Sequence, residues 1–446
     1  MRAHSPSRSL TFTLGRQLSG TSHDEINRFL SELVEAVLGE LEEAGCVECW
    51  DDDGGEAGDR VEPLPLGRLA SFYYLQHETA AHFAAGISDR MDVAQALDVL
   101  CGVAEYDDMP VRHNEDLVNA KFSERIAALG GWGLADAGAA DDPHAKVHLL
   151  LQAHCCRAEM PMADYALDLK GALDQSSRLL QAMVDVAVQR GWLRAALSAM
   201  AVAQTLAQAR WHTAHTCTAL PQVSPEAARR LAAKGLSSLA ALVEGAHADE
   251  PGLRRALQGA GLGARDARAA AQVCVRLPVV DVAWKVGRGG GGDGGPDRGG
   301  GAVRLDVTLE RRNKAPAKGK AFAPRFPKAR EEGWWLVAGD PATNELFALK
   351  RVAPFPRRSP TFSLALPALD SLGRPTARAV LFLVSDVYLG LDQEHEVAVP
   401  AGAAAAGGYS SDSSDDSFWL PAEDAAALEA EAFPADAHPP DNSTAK

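Results

Sequence analysis

The sequence predicts a multidomain chain, α-helical first and β-stranded afterwards. The expected order is a winged-helix remnant, an all-α helical bundle, a small helix-loop-helix (helix-hairpin-helix-like) domain and a fibronectin type III/immunoglobulin-like β-sandwich. Three observations predict it. Apolar residues recur at helical spacing through successive stretches from Ser22 to Leu277. Near Pro278 the period changes to alternation, and seven strand-like runs follow, separated by turn-rich loops. One stretch, GWLRAALSAMAVAQTLAQARW from Gly191 to Trp211, is apolar around most of its girth, which suits a helix inside a bundle. At 446 residues, the chain exceeds what one core normally holds, and about three or four domains are expected.

Residues 1–64 read as an incomplete winged-helix module, with the chain beginning inside it. The run SHDEINRFLSELVEAVLGELEEAG is amphipathic, with Ser22 and Glu25 spaced as a capping box and Gly45 as a stop. Phe29, Leu30, Leu33, Val34, Val37, Leu38 and Leu41 form its apolar face. CVECW, DDDGGEAGDR and RVEPL then read as strand, acidic wing and return strand. Residues 65–217 form the bundle, six or seven helices beginning with one entered through Pro65, and Asp92 caps another. In 218–277, two short helices meet at Lys234–Gly235, and LGARDARAAAQVCVRL adds a third. A glycine turn of this kind can present amides to phosphate, but the usual clustered glycines are missing, which favours plain packing. The seven strands occupy 278–400. GRGGGGDGGPDRGGG fits GxGxxG in composition only, because no helix follows it, and reads as a flexible loop. Residues 401–446 form an acidic, serine-rich tail of disordered composition, whose serines could accept phosphate.

The net charge is −16, unevenly spread: 401–446 holds nine acidic residues and one lysine, whereas 303–358 holds thirteen basic and six acidic ones. The overall balance therefore excludes no partner. No run is apolar enough for a signal peptide or membrane helix, so the chain is expected to be soluble with no membrane association. Seven scattered cysteines fit reduced thiols. Cys46 and Cys49 form one CxxC pair without a second at zinc-ribbon spacing, so no metal site is expected. GxxxxGK[ST], HExxH and GxSxG are all absent, as is an acidic magnesium box. No catalysis, cofactor or small-molecule substrate is expected.

Three groups merit attention as sites. Arg194, Ser198, Thr205 and Gln208 fall on one face of the 191–211 helix, while Leu193, Leu197, Met200 and Leu206 supply its apolar contacts. The polar stripe should face water or a nucleic-acid strand. Trp334 and Trp335 are consecutive in a strand, so one should enter the core and the other face outward. Beside Arg325, Lys328 and Arg330, the outward one would make a partner-docking anchor. The cluster Arg112-His113-Asn114-Glu115-Asp116 could hold acid/base groups. Neighbours on a helix point to different sides, however, and capping with an Arg112–acid pair is the plainer expectation.

PLGRLASFYYL, AEYDDMPVRHNED, DPHAKVHLLLQAH, GWLRAALSAMAVAQTLAQARW, REEGWWLVAGD, FALKRV and SDVYLGLDQE, in that order, resemble the Sec-sixty-three homology unit of Ski-two-like RNA helicases. The likeness runs from about Ser22 to Pro400. It leans towards the carboxy-terminal cassette of the spliceosomal branch, with the activating-signal-cointegrator branch next. The resemblance implies the four-part fold above and makes 191–211 the ratchet helix that lines the nucleic-acid channel under the motor domains. Those motor domains are missing from this sequence. It therefore implies a non-catalytic regulatory and protein-interaction module acting in pre-mRNA splicing, nuclear, with spliceosomal proteins as partners. RNA binding by the chain alone should be weak. The alternatives are an RNA-binding module, a truncated piece of a cointegrator-type helicase or, further off, a part in protein translocation at the endoplasmic reticulum.

Overall fold

The structure, a computed structural model, describes residues 23–50, 60–288, 303–314, 319–355, 357–366 and 378–398. Ser22 and the expected wing, glycine-rich loop and tail lie outside the described residues. Helix α1 (His23–Glu43) leads into the antiparallel pair β1 (Val47–Trp50) and β2 (Arg60–Pro63), with Trp50 opposite Arg60. Gly45 ends α1 at φ +70°. The expected apolar face of α1 is half-buried at Phe29, Leu33, Val37, Leu38 and Leu41 but open at Leu30 and Val34, 48% and 55% exposed.

Seven helices follow: α2 (Pro65–Phe72), α3 (His77–Gly86), α4 (Val93–Cys101), α5 (Glu115–Ala128), α6 (Pro143–Cys156), α7 (Ala163–Gln189) and α8 (Leu193–Gln208). A Cβ on Gly67 of α2 would lie 2.0 Å from the Cys46 carbonyl oxygen, so only glycine lets the hairpin sit against the bundle. The sequence reads 65–86 as one helix, but it is broken between α2 and α3. Tyr74 turns left-handed at φ 51°, and Arg178 of α7 takes up the freed carbonyls of Tyr73 and Tyr74 at 2.7 and 2.6 Å. Asp92 caps α4 as expected, in a reciprocal capping box with Gln95. Then come α9 (Pro225–Ala232), capped by Ser224, α10 (Leu239–Gly259), kinked at Asp249 beside Pro251, and α11 (Ala264–Arg276). Gly235 supplies the expected turn after α9 at φ +83°.

All seven expected strands form: β3 (Val280–Arg288), β4 (Val303–Arg311), β5 (Trp334–Asp340), β6 (Glu345–Val352), β7 (Phe362–Leu366), β8 (Arg378–Ser385) and β9 (Gln393–Ala398). They pair antiparallel in two sheets, ordered β3-β4-β7 and β6-β5-β8-β9. Leu305 and Val307 of β4 share one apolar core with Trp334 and Leu336 of β5 and Leu383 of β8, so the sheets pack face to face.

The cores cross the expected domain borders. Leu231, Leu242 and Leu257 of α9 and α10 belong to that same sandwich core. Trp335 and Val337 of β5 and Phe382 and Val384 of β8 belong instead to the bundle core, with Leu100, Met183 and Met200. The four-stranded sheet is therefore covered on both faces, and every residue of β5 is buried. The bundle and the sandwich are joined by shared apolar surface rather than by the Arg276–Pro278 joint alone.

Candidate functional site

Helix α8 connects the bundle to the sandwich along its whole length. Its start is held by the β5–β6 turn. Asn344, left-handed at φ 64°, accepts from the Arg194 amide through Oδ1 at 2.7 Å, and its carbonyl accepts from the Leu193 amide at 3.2 Å. Its Nδ2 donates to the Asp89 carbonyl at 2.7 Å, and the Leu346 amide donates to Gly191 at 2.8 Å. Gly339 permits the approach, because a Cβ there would meet the Glu345 carbonyl at 2.6 Å and Leu193 at 3.0 Å. Around this turn opens a cleft of about 560 Å³, lined among others by Asp89, Arg90, Arg194, Leu197 and Asn344.

Farther along, Ser198 donates to the Met91 carbonyl at 2.8 Å. The Gln204 amide donates to the Ser385 carbonyl at 2.7 Å and to Asp392 at 2.9 Å. Asp392 also accepts from the Ser385 amide, at 2.8 Å, yet burial still pushes its carboxyl up to about 6. At the far end, Gln208 donates to the Phe322 carbonyl at 3.1 Å, and Arg157 donates to the carbonyl of Ala209, the left-handed C-cap, at 3.0 Å.

The expectation of a solvent-facing polar stripe is corrected here. Arg194 is exposed, but Ser198, Thr205 and Gln208 are buried to 8, 2 and 5% exposure. The Met91 turn before α4 covers Ser198, and the segment around Phe322 covers Gln208. Leu197 is only partly buried, at the cleft, whereas Leu193, Met200 and Leu206 are core.

The tryptophan expectation is corrected too. Trp334 and Trp335 are 3 and 2% exposed, because the outer face of β5 lies on the bundle. Lys328 pairs with Asp174 of α7 at 3.2 Å, and Arg330 hydrogen-bonds Ser177 and covers the Phe326 ring. Both clamp the bundle. Arg325 alone of that basic set is exposed and outside any ion pair among the described residues.

The cluster after Pro110 follows the plainer expectation. Arg112 bridges Glu115 at 3.0 Å and Asp168 of α7 at 2.8 Å. Lys146 of α6, fully buried, donates to the Pro110 carbonyl and Glu115 at 2.6 Å and to Asp168 at 2.7 Å. Burial opposes the charge on both carboxylates, but the bonds from Lys146 and Arg112 outweigh it and hold both below their usual range. All three ammonium protons are used, so the group is a closed structural network. Cys46 is packed with Ala44, Ala70 and Ala80, and burial pushes its thiol up.

Sequence reasoning missed Gln204, Asn344, Asp392, Lys146 and Asp168. The Asn in ATNEL is legible as a turn residue, but its partner lies 150 positions away.

A bundle docked by one central helix onto two stacked sheets defines a mixed α/β fold. Residues 63–398 match the Sec63 Brl domain family, and the chain belongs to it. It is 35% identical over 382 residues to the DExH-box ATP-dependent RNA helicase DExH14 of Arabidopsis thaliana, covering 85% of this chain and 16% of that protein. Identity to the human activating signal cointegrator 1 complex subunit 3 is 33% over 418 residues, covering 85% and 18%. Identity to the human U5 small nuclear ribonucleoprotein 200 kDa helicase is 33% over 384 residues, covering 86% and 16%. The chain thus spans less than a fifth of these relatives and matches only their Sec63 region.

Proposed function

We propose that the chain is a non-catalytic regulatory and protein-interaction module of a spliceosomal DExH-type RNA helicase, acting in nuclear pre-mRNA splicing with spliceosomal proteins as partners. The observation that carries this reading is the match to the Sec63 region of proteins named as helicases, by a chain whose 446 residues contain no P-loop motif. In this reading residues 1–64 are a winged-helix remnant, 65–217 the bundle with α8 as its ratchet-like helix, 218–277 a helix-loop-helix unit and 278–400 an immunoglobulin-like sandwich. The RNA-facing part of α8 contracts to Arg194 and the cleft beside it. Among the described residues no helix is long and apolar enough to cross a membrane, in keeping with a reading that places nothing in a bilayer.

The cointegrator-type reading stands second, because identity to that human relative is also 33%. Tagging the chain in its own cells and sequencing the co-purified RNA and proteins separates them. U5 snRNA with spliceosomal proteins supports the first reading; cointegrator-complex subunits without snRNA support the second and overturn the first. The purified chain should show no magnesium-dependent ATP turnover, and turnover abolished by one point substitution would overturn both.

A further inference from the structure

Helices α10 and α11 leave a basic groove between them. On α11 the apolar residues Ala267, Ala270, Ala271 and Cys274 are buried, which turns Arg268, Gln272 and Arg276, spaced by four, to one flank. On α10, Leu253 and Leu257 enter the core and Arg254 lies between them on the helix surface. The groove, about 590 Å³, is lined by Arg254, Arg268 and Arg276, with Glu250 as the one acid among the described lining residues. None of the three arginines lies within 4.0 Å of a carboxylate among the described residues. Asp249, at the kink of α10, is taken by the Gly252 amide at 2.9 Å and by Arg255 at 3.5 Å.

Three guanidinium forks without carboxylates match an acidic ligand that accepts paired hydrogen bonds. The described lining holds no Phe, Tyr or Trp on which a base could stack, which disfavours a nucleic-acid strand. Val275, 40% exposed beside Arg276, calls instead for an apolar side chain next to the acids.

The chain carries such a ligand in its own sequence. Residues 409–420, YSSDSSDDSFWL, hold three aspartates and no base, and end in Phe418, Trp419 and Leu420. The distances allow it to reach the groove. Gln393, at the start of β9, donates to the carbonyl of Val280, four residues past the end of α11, at 2.8 Å. With β9 rising about 17 Å to Ala398 and Val280 at most about 14 Å from Arg276, Arg276 lies within about 40 Å of Ala398. The seventeen residues from Val399 to Asp415 extend to about 56 Å.

We propose that residues 409–420 of this chain dock in the α10–α11 groove, with Asp415 and Asp416 on Arg268 and Arg276 and with Phe418 and Trp419 over Val275. The contact withdraws the groove from other anions, so the tail masks a surface of its own chain. Each exposed ion pair contributes only a few-fold in affinity, but the tether holds the segment at about millimolar effective concentration. This inference does not depend on the splicing assignment.

The test is photo-crosslinking in the full chain carrying Leu420→benzoylphenylalanine, with the products mapped by mass spectrometry. Links should form within one chain, to peptides of residues 239–276, and weaken as salt rises from about 50 to 500 mM. Arg268→Gln with Arg276→Gln should lower their yield by about fivefold or more. Asp415→Asn with Asp416→Asn should give the same loss from the tail side, and keeps the test valid if the arginine variant misfolds. Links that map elsewhere, or a yield unchanged by the aspartate pair, would overturn the proposal. Links formed only between two chains would assign the groove to a second copy and overturn it too. So would an oligouridine whose binding needs Arg268 and Arg276 but is unchanged by Asp415→Asn with Asp416→Asn, since a masking tail must compete with it.

Discussion

At the residue scale, energetics follow from what each polar group has given up in leaving water. Lys146 is fully buried, and Glu115 and Asp168 nearly so, and the three are mutually satisfied. Lys146→Met should destabilise the chain by about 3–5 kcal/mol in urea unfolding, because it takes the buried one of two cations from a buried carboxylate pair. A loss below about 1 kcal/mol would mean that water reaches the site. Asp392 and Asp386 behave in the opposite sense. Burial raises each from 3.8 to about 6. Their contribution to stability is therefore fully present below pH 3.8 and is lost as pH rises through about 6. Glu115 and Asp168, with lowered values, lose theirs in the acid range beneath their usual pKa. The thermal midpoint should thus fall as pH rises from about 4 to about 6.5, and Asp392→Asn should flatten that slope. A slope unchanged by the substitution would show that Asp392 is hydrated.

At the element scale, β5 and α8 carry the junction. Both tryptophans of β5 are buried, one in each core. Trp334→Ala and Trp335→Ala should each cost about 3–5 kcal/mol, where strand alternation alone would make one of them nearly silent. Trp335→Ala should loosen the bundle amides in hydrogen exchange, and Trp334→Ala those of the sandwich. Helix α8 starts on a cap borrowed from the β5–β6 turn. Asn344→Gly keeps the left-handed backbone and removes only the side-chain bonds, for about 1 kcal/mol. Asn344→Ala adds backbone strain at φ 64° and should cost more. Equal effects would mean that the side-chain bonds carry everything.

At the scale of the whole molecule, shared cores predict joint unfolding. Sequence period alone suggests two separable bodies, divided at Pro278. The structure instead places Trp335, Val337, Phe382 and Val384 against the bundle. One calorimetric transition should therefore cover bundle and sandwich, and residues 278–400 expressed alone should aggregate through that uncovered face. Two well-separated transitions, or a monomeric sandwich fragment, would contradict this. Cleavage in 287–301 and after Pro400, expected from the glycine-rich and acidic sequence there, concerns segments mostly outside the described residues.

Read by itself, the sequence determined what depends on neighbours along the chain. Period separated helices from strands at Pro278, and caps and glycines placed Asp92, Gly45 and Gly235 correctly, because those signals act within a few residues. Seven quoted runs in order were enough to identify the family. Only the tertiary structure decided which faces stay open. A polar residue on a helix reads as a solvated face until another element supplies its partner, and Ser198 and Gln208 found theirs at Met91 and Phe322. Alternation in a strand reads as one buried face until a second layer covers the other, as the bundle covers Trp335. The network of Arg112, Glu115, Lys146 and Asp168 joins three separate segments, so a local pattern gives only its Arg112–Glu115 part. Periodicity records the preference of a surface to be buried or wet, whereas what lies against that surface is set by long-range packing.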